Sequence, residues 1–242
     1  MPTYELLNNV DHKDVRVITD RSTVYGDNVH FVTTFPLEFR RVQGCYPIFF
    51  QKDANTGEFF PLALFGFEAG ENLFLSDDGW DANYLPLMIR RQPFVIGHQE
   101  DSEAPGGTKM VVSLDMDSPR VSKEQGEELF LPHGGSSDFL AAMTAVLEDI
   151  KIGHQINEAF VKALVDHELI ESVSMEIELN DGSKRQLLGL YTINEEKLAQ
   201  LDAEALESLH RKQFLLHIYM VLASHASFRT LIDKKNAQIE GA

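Results

Sequence analysis

This 242-residue sequence predicts an α+β fold, mostly antiparallel, and three observations carry the prediction. Up to about Asp115 the apolar residues come in short runs of strand length punctuated by Gly, Pro and Asp, whereas from Ser122 onward helix-period stretches dominate. Between Val173 and Ile193 two strand-like runs flank Asn180-Asp181-Gly182-Ser183, the pattern of a β-hairpin. The regular strand-helix alternation of a doubly wound sheet is missing, so strands and helices are segregated along the chain.

Taken in order, Tyr46 to Gln51 and Glu58 to Phe65 are aromatic and β-branched runs separated by the polar, Gly-containing stretch Lys52 to Gly57, which suits a hairpin loop. Pro61 has no amide donor, so the second run is expected at a sheet edge or a bulge. Asn72 to Leu75 adds a short strand, and Ser76-Asp77-Asp78-Gly79 turns the chain. Asp81 is placed to cap a helix expected from Ala82 to about Arg91, which Pro93 ends. Phe94 to Gly97 and Met110 to Leu114 complete the strands of the first half. The acidic, Gly/Pro-rich loop Gln99 to Thr108 between them is expected to be mobile.

In the second half, Ser136-Ser137-Asp138 precedes Phe139, Met143, Val146, Leu147 and Ile150, an amphipathic helical face. Gly153 is expected to break that helix, with Ile156, Phe160, Leu164 and Val165 on a second one reaching about Asp166. Val173, Met175, Ile177 and Leu179 then alternate with polar residues, and Gln186 to Ile193 runs back as the second arm of the hairpin. Asn194 starts a short helix, and Asp202 caps a longer one expected to run from Ala203 to about Ser224, with Leu206, Leu209, Phe214, Ile218 and Val221 on its buried side. Ser227 to Lys235 is also helical in pattern. No internal repeat is visible, so one domain is expected over 1–242, any subdivision falling near 116–135.

The formal net charge is −17, from 38 acidic and 21 basic residues. It is spread evenly, −8 over residues 1–121 and −9 over 122–242, so no acidic tail or basic arm forms a separate module. Without a basic stripe such a chain repels phosphate backbones, which argues against nucleic acid as a partner. No uninterrupted apolar run reaches the roughly 18 residues of a membrane span, so none is expected. Met1 to Lys13 is polar and acidic, and a secretory signal is not expected either. The lone Cys45 cannot form an internal disulfide, which suits the cytoplasm. Placed just before an apolar run, it is expected to be an inert core thiol.

Catalytic motifs are sparse. There is no Gly-x-Ser-x-Gly elbow, no phosphate loop and no Gly-x-Gly-x-x-Gly after a strand, so no nucleotide-dependent chemistry and no cofactor are expected. His12-Lys13-Asp14 and His98-Gln99-Glu100 both match the His-x-carboxylate fragment of a ferrous iron triad. His98 and Glu100 are the better placed, with His133 or His154 as the third ligand, although surface histidines beside solvated acids explain the fragments equally well. His210 and His217 lie two helical turns apart, ~10 Å along an axis, too far to share one ion. Acid clusters such as Asp77, Asp78 and Asp81, or Asp115 and Asp117, suit turn and cap duty.

One segment differs from this acidic background. Trp80 to Phe94 holds the only tryptophan, Tyr84 and the adjacent Arg90 and Arg91. Guanidinium groups grip carboxylates bidentately and stack on aromatic rings, so Trp80, Tyr84, Arg90, Arg91 and Phe94 form the candidate ligand-binding set. The plainer reading is that the arginines neutralise neighbouring acids while the aromatics pack.

Tyr46-Pro47-Ile48, Gly70-Glu71-Asn72-Leu73, Trp80 with Tyr84 and Pro86, and Arg90-Arg91 with Pro93-Phe94 together resemble the N-terminal signature of the bacterial SapC family. Asp181-Gly182, Gly189-Leu190-Tyr191, Ile193 to Leu198, Leu209, and Leu216 through Ser224 resemble its C-terminal block. The likeness runs from about Leu6 to Leu231 and is loosest over Gln99 to Asn157. The family was named for a gene linked to a bacterial surface layer and is distinct from the like-named peptide-transport permease. The resemblance implies a genomic setting near halogenase-like and cupin-like oxygenase-like proteins and TonB-dependent receptors, and it brings no catalytic residues with it. The expected function is therefore non-catalytic binding of a peptide or partner protein in a bacterial surface-layer or substrate-modification system. The alternative is a cupin-like, non-heme iron oxygenase using His98, Glu100 and His133.

Overall fold

The computed structural model describes residues 3–100 and 108–241, the side chains of His98, Glu100 and Thr108 excepted. Along the chain come β1 (Tyr4–Leu6), β2 (Arg16–Val17), β3 (Phe31–Thr33) and the short α1 (Phe39–Val42), entered through a 3-10 turn, Pro36–Glu38. Next are β4 (Ile48–Lys52), β5 (Phe59–Leu64), β6 (Leu75–Ser76), β7 (Gly79–Trp80), α2 (Leu87–Arg90), β8 (Phe94–Glu100) and β9 (Thr108–Asp115). β10 (Val121–Ser122) and β11 (Glu127–Glu128) precede the long α3 (Asp138–Asp166), which leads to β12 (Ile170–Glu178) and β13 (Lys184–Ile193). Four helices close the chain: α4 (Glu195–Ala199), α5 (Ala203–Arg211), α6 (Phe214–Ser224) and α7 (Phe228–Glu240). The fold is α+β, and every strand pairing among the described residues is antiparallel.

The chain divides into two compact units, each assembled from two separate stretches: unit 1 from Met1–Asp27 and Leu87–Lys151, unit 2 from Asn28–Pro86 and Ile152–Ala242. The boundaries fall outside 116–135, where the sequence changes from strand to helix pattern but stays within unit 1.

Unit 1 holds two three-stranded sheets, β1-β9-β8 and β10-β2-β11. The β8–β9 pair realises the two runs expected as strands, while 101–107 of the intervening loop lies outside the described residues. Its buried apolar residues come from the strands and their flanks (Val15, Val17, Phe94, Leu114) and from the start of α3 (Leu140, Met143, Val146, Leu147, Ile150).

Unit 2 is built on a five-stranded sheet of order β12-β13-β4-β5-β3. α6 packs on β4, β13 and α1. Phe160 of α3 sits among the rings of Phe39, Phe50 and Phe214, at centroid distances of 6.0, 6.4 and 5.4 Å. Such a fully buried ring contributes about 2–3 kcal/mol by transfer from water, and each well-oriented ring pair adds about 0.5–1.5 kcal/mol.

Four expectations give way to the structure. Gly153 does not break α3, which runs unbroken for 29 residues. Instead it is buried, and a Cβ there would lie 2.7 Å from Cγ of Phe35, so the glycine marks a close approach. Pro61 lies in an interior strand, not at an edge or bulge. Its carbonyl accepts from the Thr34 amide one residue past the last β3 pair, so the missing donor falls where that ladder has already ended. The helix expected from Ala82 is reduced to Leu87–Arg90, because Pro86 disfavours helical geometry at Leu85. The helix from Ala203 stops at Arg211 and restarts at Phe214, with Gln213 left-handed at φ 62°. Leu209 and Phe214 are both buried, and in an unbroken helix they would point about 140° apart. The caps are as expected, with Asn194 and Asp202 accepting from the amides of Lys197 and Ala205.

Phe214–Glu240 is, by length and composition alone, apolar enough to cross a membrane, at a mean hydropathy of 1.2 over its best window. Within the fold its Phe214, Ile218, Met220, Val221 and Leu231 are buried.

Candidate functional site

In unit 2, the aromatic residues singled out from the sequence are held by a chain of hydrogen bonds. Trp80 ends the small β6–β7 hairpin, whose Asp77-Asp78 turn is closed by Gly79 at φ 105°. Its indole N–H donates to the hydroxyl of Tyr46 at 2.7 Å, and that hydroxyl donates in turn to the carbonyl of Tyr84. Burial pushes the Tyr46 phenol far above its ordinary value, so it keeps the proton this relay needs. The Tyr84 hydroxyl donates to Glu38 at 2.8 Å. Glu38 is 2% exposed, and the Thr34 hydroxyl donates to its other oxygen, also at 2.8 Å. The Arg41 guanidinium lies 5.6 Å from the centre of the Tyr84 ring. Trp80 also stands edge-on to Phe65 at 5.2 Å. Both aromatics are thus fixed in place from within unit 2 while remaining half-buried.

Beside Trp80 lies an open depression of about 420 Å³, bordered by Gly44, Cys45, Phe74, Asp81 and Lys234. Lys234 pairs with Asp81, and its ammonium lies 5.1 Å from the centre of the Phe74 ring. The Lys234 hydrogen bond holds the Asp81 carboxyl below its ordinary value. Asp81 therefore works at this rim and not as the helix cap expected of it. Cys45 is half-buried at the same rim, so the thiol expected in the core faces an opening.

Unit 1 holds Arg90, Arg91 and Phe94. The candidate set is thereby divided between the units, with Trp80 and Tyr84 in the other. Phe94 has no exposed surface and meets the Phe139 ring at 6.1 Å, so it is a core residue. Arg91 turns back to donate to the Phe94 carbonyl at 2.8 Å, and burial draws its pKa below the ordinary arginine value. Arg90 is half-buried and makes no ion pair or hydrogen bond with its guanidinium among the described residues.

Reading the sequence missed the most buried charge cluster of unit 1. Arg120 has no exposed surface and donates to Asp27 at 2.5 Å and to the carbonyls of Ile18 and Asp20 at 3.1 and 2.8 Å. Arg21 donates to the other Asp27 oxygen at 3.3 Å and to the Ile89 carbonyl at 3.2 Å. Burial, then repulsion from Arg120, lowers the Arg21 pKa. Asp27 and Arg120 stand 93 positions apart, and no local pattern in the sequence connects them. The cluster ties distant loops of unit 1 together.

No three His, Cys, Asp or Glu side chains converge as metal ligands among the described residues. The side chains of His98 and Glu100 lie outside those residues, while His133 is exposed in a turn and His154 is exposed on α3, edge-on to Phe35 at 4.8 Å. His12 is 2% exposed, with its ring nitrogens engaged by Glu5 at 3.2 Å and the Asn8 amide at 3.3 Å.

A protein-family model described as SapC matches residues 7–231, nearly the whole chain. No curated protein and no solved structure matches it.

Proposed function

The chain belongs to the SapC family, and from that premise we propose that it binds a peptide or partner protein in a bacterial surface-layer or substrate-modification system, without catalysing a reaction. The observation that carries the reading is Trp80: an aromatic ring fixed by the Tyr46 hydrogen bond and left half-exposed beside an open depression. A partner that covers such a ring gains large apolar contact while little side-chain freedom is lost, which is how rigid aromatic anchors dominate binding surfaces. The Lys234–Asp81 pair supplies a polar rim. Under this reading the protein works in the cytoplasm, where Cys45 stays reduced, and halogenase-like or cupin-like proteins are the first partners to try.

The chain carries its own reporters, since its one tryptophan and its one cysteine border the same depression. Titration with a purified partner is expected to change the Trp80 fluorescence and to slow alkylation of Cys45 by N-ethylmaleimide. Trp80→Ala is expected to weaken binding at least about tenfold, or ~1.4 kcal/mol. Arg90→Ala, in unit 1, tests the other part of the candidate set. A partner that binds Trp80→Ala as tightly as the parent protein, with Cys45 still freely alkylated, removes the depression from the proposal.

A further inference from the structure

The chain carries no acidic residue, lysine or arginine between Lys212 and Arg229, although its formal net charge is −17. That stretch is α6 and the turn after it. Phe214, Ile218, Met220 and Val221 are buried, where α6 packs on β4, β13 and α1. The side turned outward is apolar as well. Leu216 and Tyr219 are 46% and 55% exposed, Ala223 and Ala226 are exposed, and Leu215 and Leu222 lie half-buried beside them. A helix that is apolar all round belongs inside a larger core, and an apolar row left open marks a contact surface.

The sizes along this row point to its occupant. Leu216, Tyr219, Ala223 and Ala226 follow at intervals of three, four and three, one face of a helix. The 3-10 turn His225–Ser227 joins α6 to α7 within the helical stretch Phe214–Glu240, so the row crosses the junction. Both bulky side chains stand at one end and both alanines at the other. When the row is laid antiparallel on a second copy, about a two-fold axis at Val221, Tyr219 meets Ala223 and Leu216 meets Ala226. Every large side chain then faces a small one, the self-complementarity that an isologous contact needs. Farther along α7, the exposed Thr230 and Asp233 are carried past the start of the other copy's α6, toward its exposed Lys212, so opposite charges meet at both ends.

We propose that the chain forms a two-fold dimer through the outward face of α6, packed antiparallel on the same face of a second copy. Two acidic copies repel, but this seam is uncharged, and at 0.15 M salt the repulsion is screened beyond ~8 Å. A membrane would cover an apolar face too, and the charges around it argue otherwise. Arg211 and Arg229 are already paired with Glu207 and Asp233, and unit 2 carries 22 acidic against 12 basic residues, net −10. Helices that lie on lipid present a polar face rich in Lys and Arg. The seam goes beyond the depression at Trp80, which none of its four residues borders.

The test is sedimentation velocity with light scattering on the full chain, from about 1 µM to about 1 mM protein. A seam one helix wide belongs at the small end of interface sizes, below ~1,200 Å² in total, so a weak dimer with a Kd of about 10–100 µM is expected. Tyr219→Ala removes the bulk from one half of the contact, and Ala223→Tyr sets two rings against each other. Each is expected to raise the dimer Kd at least about tenfold. The double variant Tyr219→Ala/Ala223→Tyr exchanges the two sizes and keeps large against small across the axis, so it is expected to dimerise nearly as the parent does. All these positions are exposed, and Leu216→Gln, also expected to be monomeric, stands in should either single variant fail to fold. A parent chain that stays monomeric at about 1 mM, or a double variant that dimerises no better than the weaker single one, would each overturn the proposal. So would binding of the monomer to phosphatidylcholine vesicles without self-association, which gives the face to a membrane. Partner titration followed by Trp80 fluorescence is read separately: a chain that stays monomeric yet binds its partner refutes the dimer and leaves the function proposed above standing.

Discussion

The surroundings of His217 and His225 favour the neutral ring. Burial lowers the pKa of both below the ordinary 6.5, seconded by Arg40 for His217 and opposed by the Ile48 carbonyl for His225. His225 also stacks on Phe49 at 4.9 Å, and an enclosed nitrogen of His217 has no hydrogen-bond partner among the described residues. His30 is lowered by burial as well. In the pH interval between the lowered values and 6.5 the unfolded chain binds more protons than the folded one, so stability rises with pH there. It is fully present above about 6.5 and is lost as the pH falls through the lowered values. Urea unfolding followed from pH 7.5 down to about pH 5 is expected to show this loss, and His217→Gln with His225→Gln to flatten it. Carboxylates held low by hydrogen bonds, such as Asp81, lose their contribution only at more acid pH, so a loss confined below pH 4.5 would assign it to them.

Within elements, α3 is the informative case. Propensity alone favours alanine over glycine in a helix by about 0.8–1 kcal/mol. At Gly153 we expect the reverse, since the added carbon would meet Phe35 at 2.7 Å: Gly153→Ala should destabilise the protein by about 1–3 kcal/mol in urea unfolding. An unchanged or increased stability would mean that Phe35 moves aside at little cost. The elements differ in how much of them the sequence discloses. The Asn180–Ser183 turn and the caps at Asn194 and Asp202 were legible because their chemistry is local, a few residues wide. The role of Gly153 depends on a ring 118 positions away, and the break at Gln213 on where Leu209 and Phe214 find their core, so pattern alone pointed the wrong way at both. Trp80 was recognisable by its rarity, whereas Asp27 and Arg120, 93 positions apart, look like any acid and base until the fold brings them together.

At the scale of the whole molecule, the excess of acid is shared. Unit 1 carries 16 acidic and 9 basic residues, net −7, and unit 2 carries 22 and 12, net −10. Like charge in both units opposes the compact state. Raising the ionic strength from about 0.01 M to 0.15 M shortens the screening length from ~30 Å to ~8 Å, and the midpoint of urea unfolding is expected to rise with it. A midpoint that falls with salt would show that specific ion pairs outweigh the net repulsion.

The route of the chain through its two units also governs how the molecule comes into being. The backbone passes between them after Asp27, after Pro86 and again after Lys151, inside α3. During synthesis, the first 27 residues of unit 1 must wait on the ribosome while 59 residues of unit 2 emerge, and unit 2 must wait for 65 more before its second stretch begins. No cut of the gene at a single point yields either unit whole, so fragment expression, the usual way to ask which half of a protein holds a binding partner, is closed here, and point variants in the intact chain are the route to that answer.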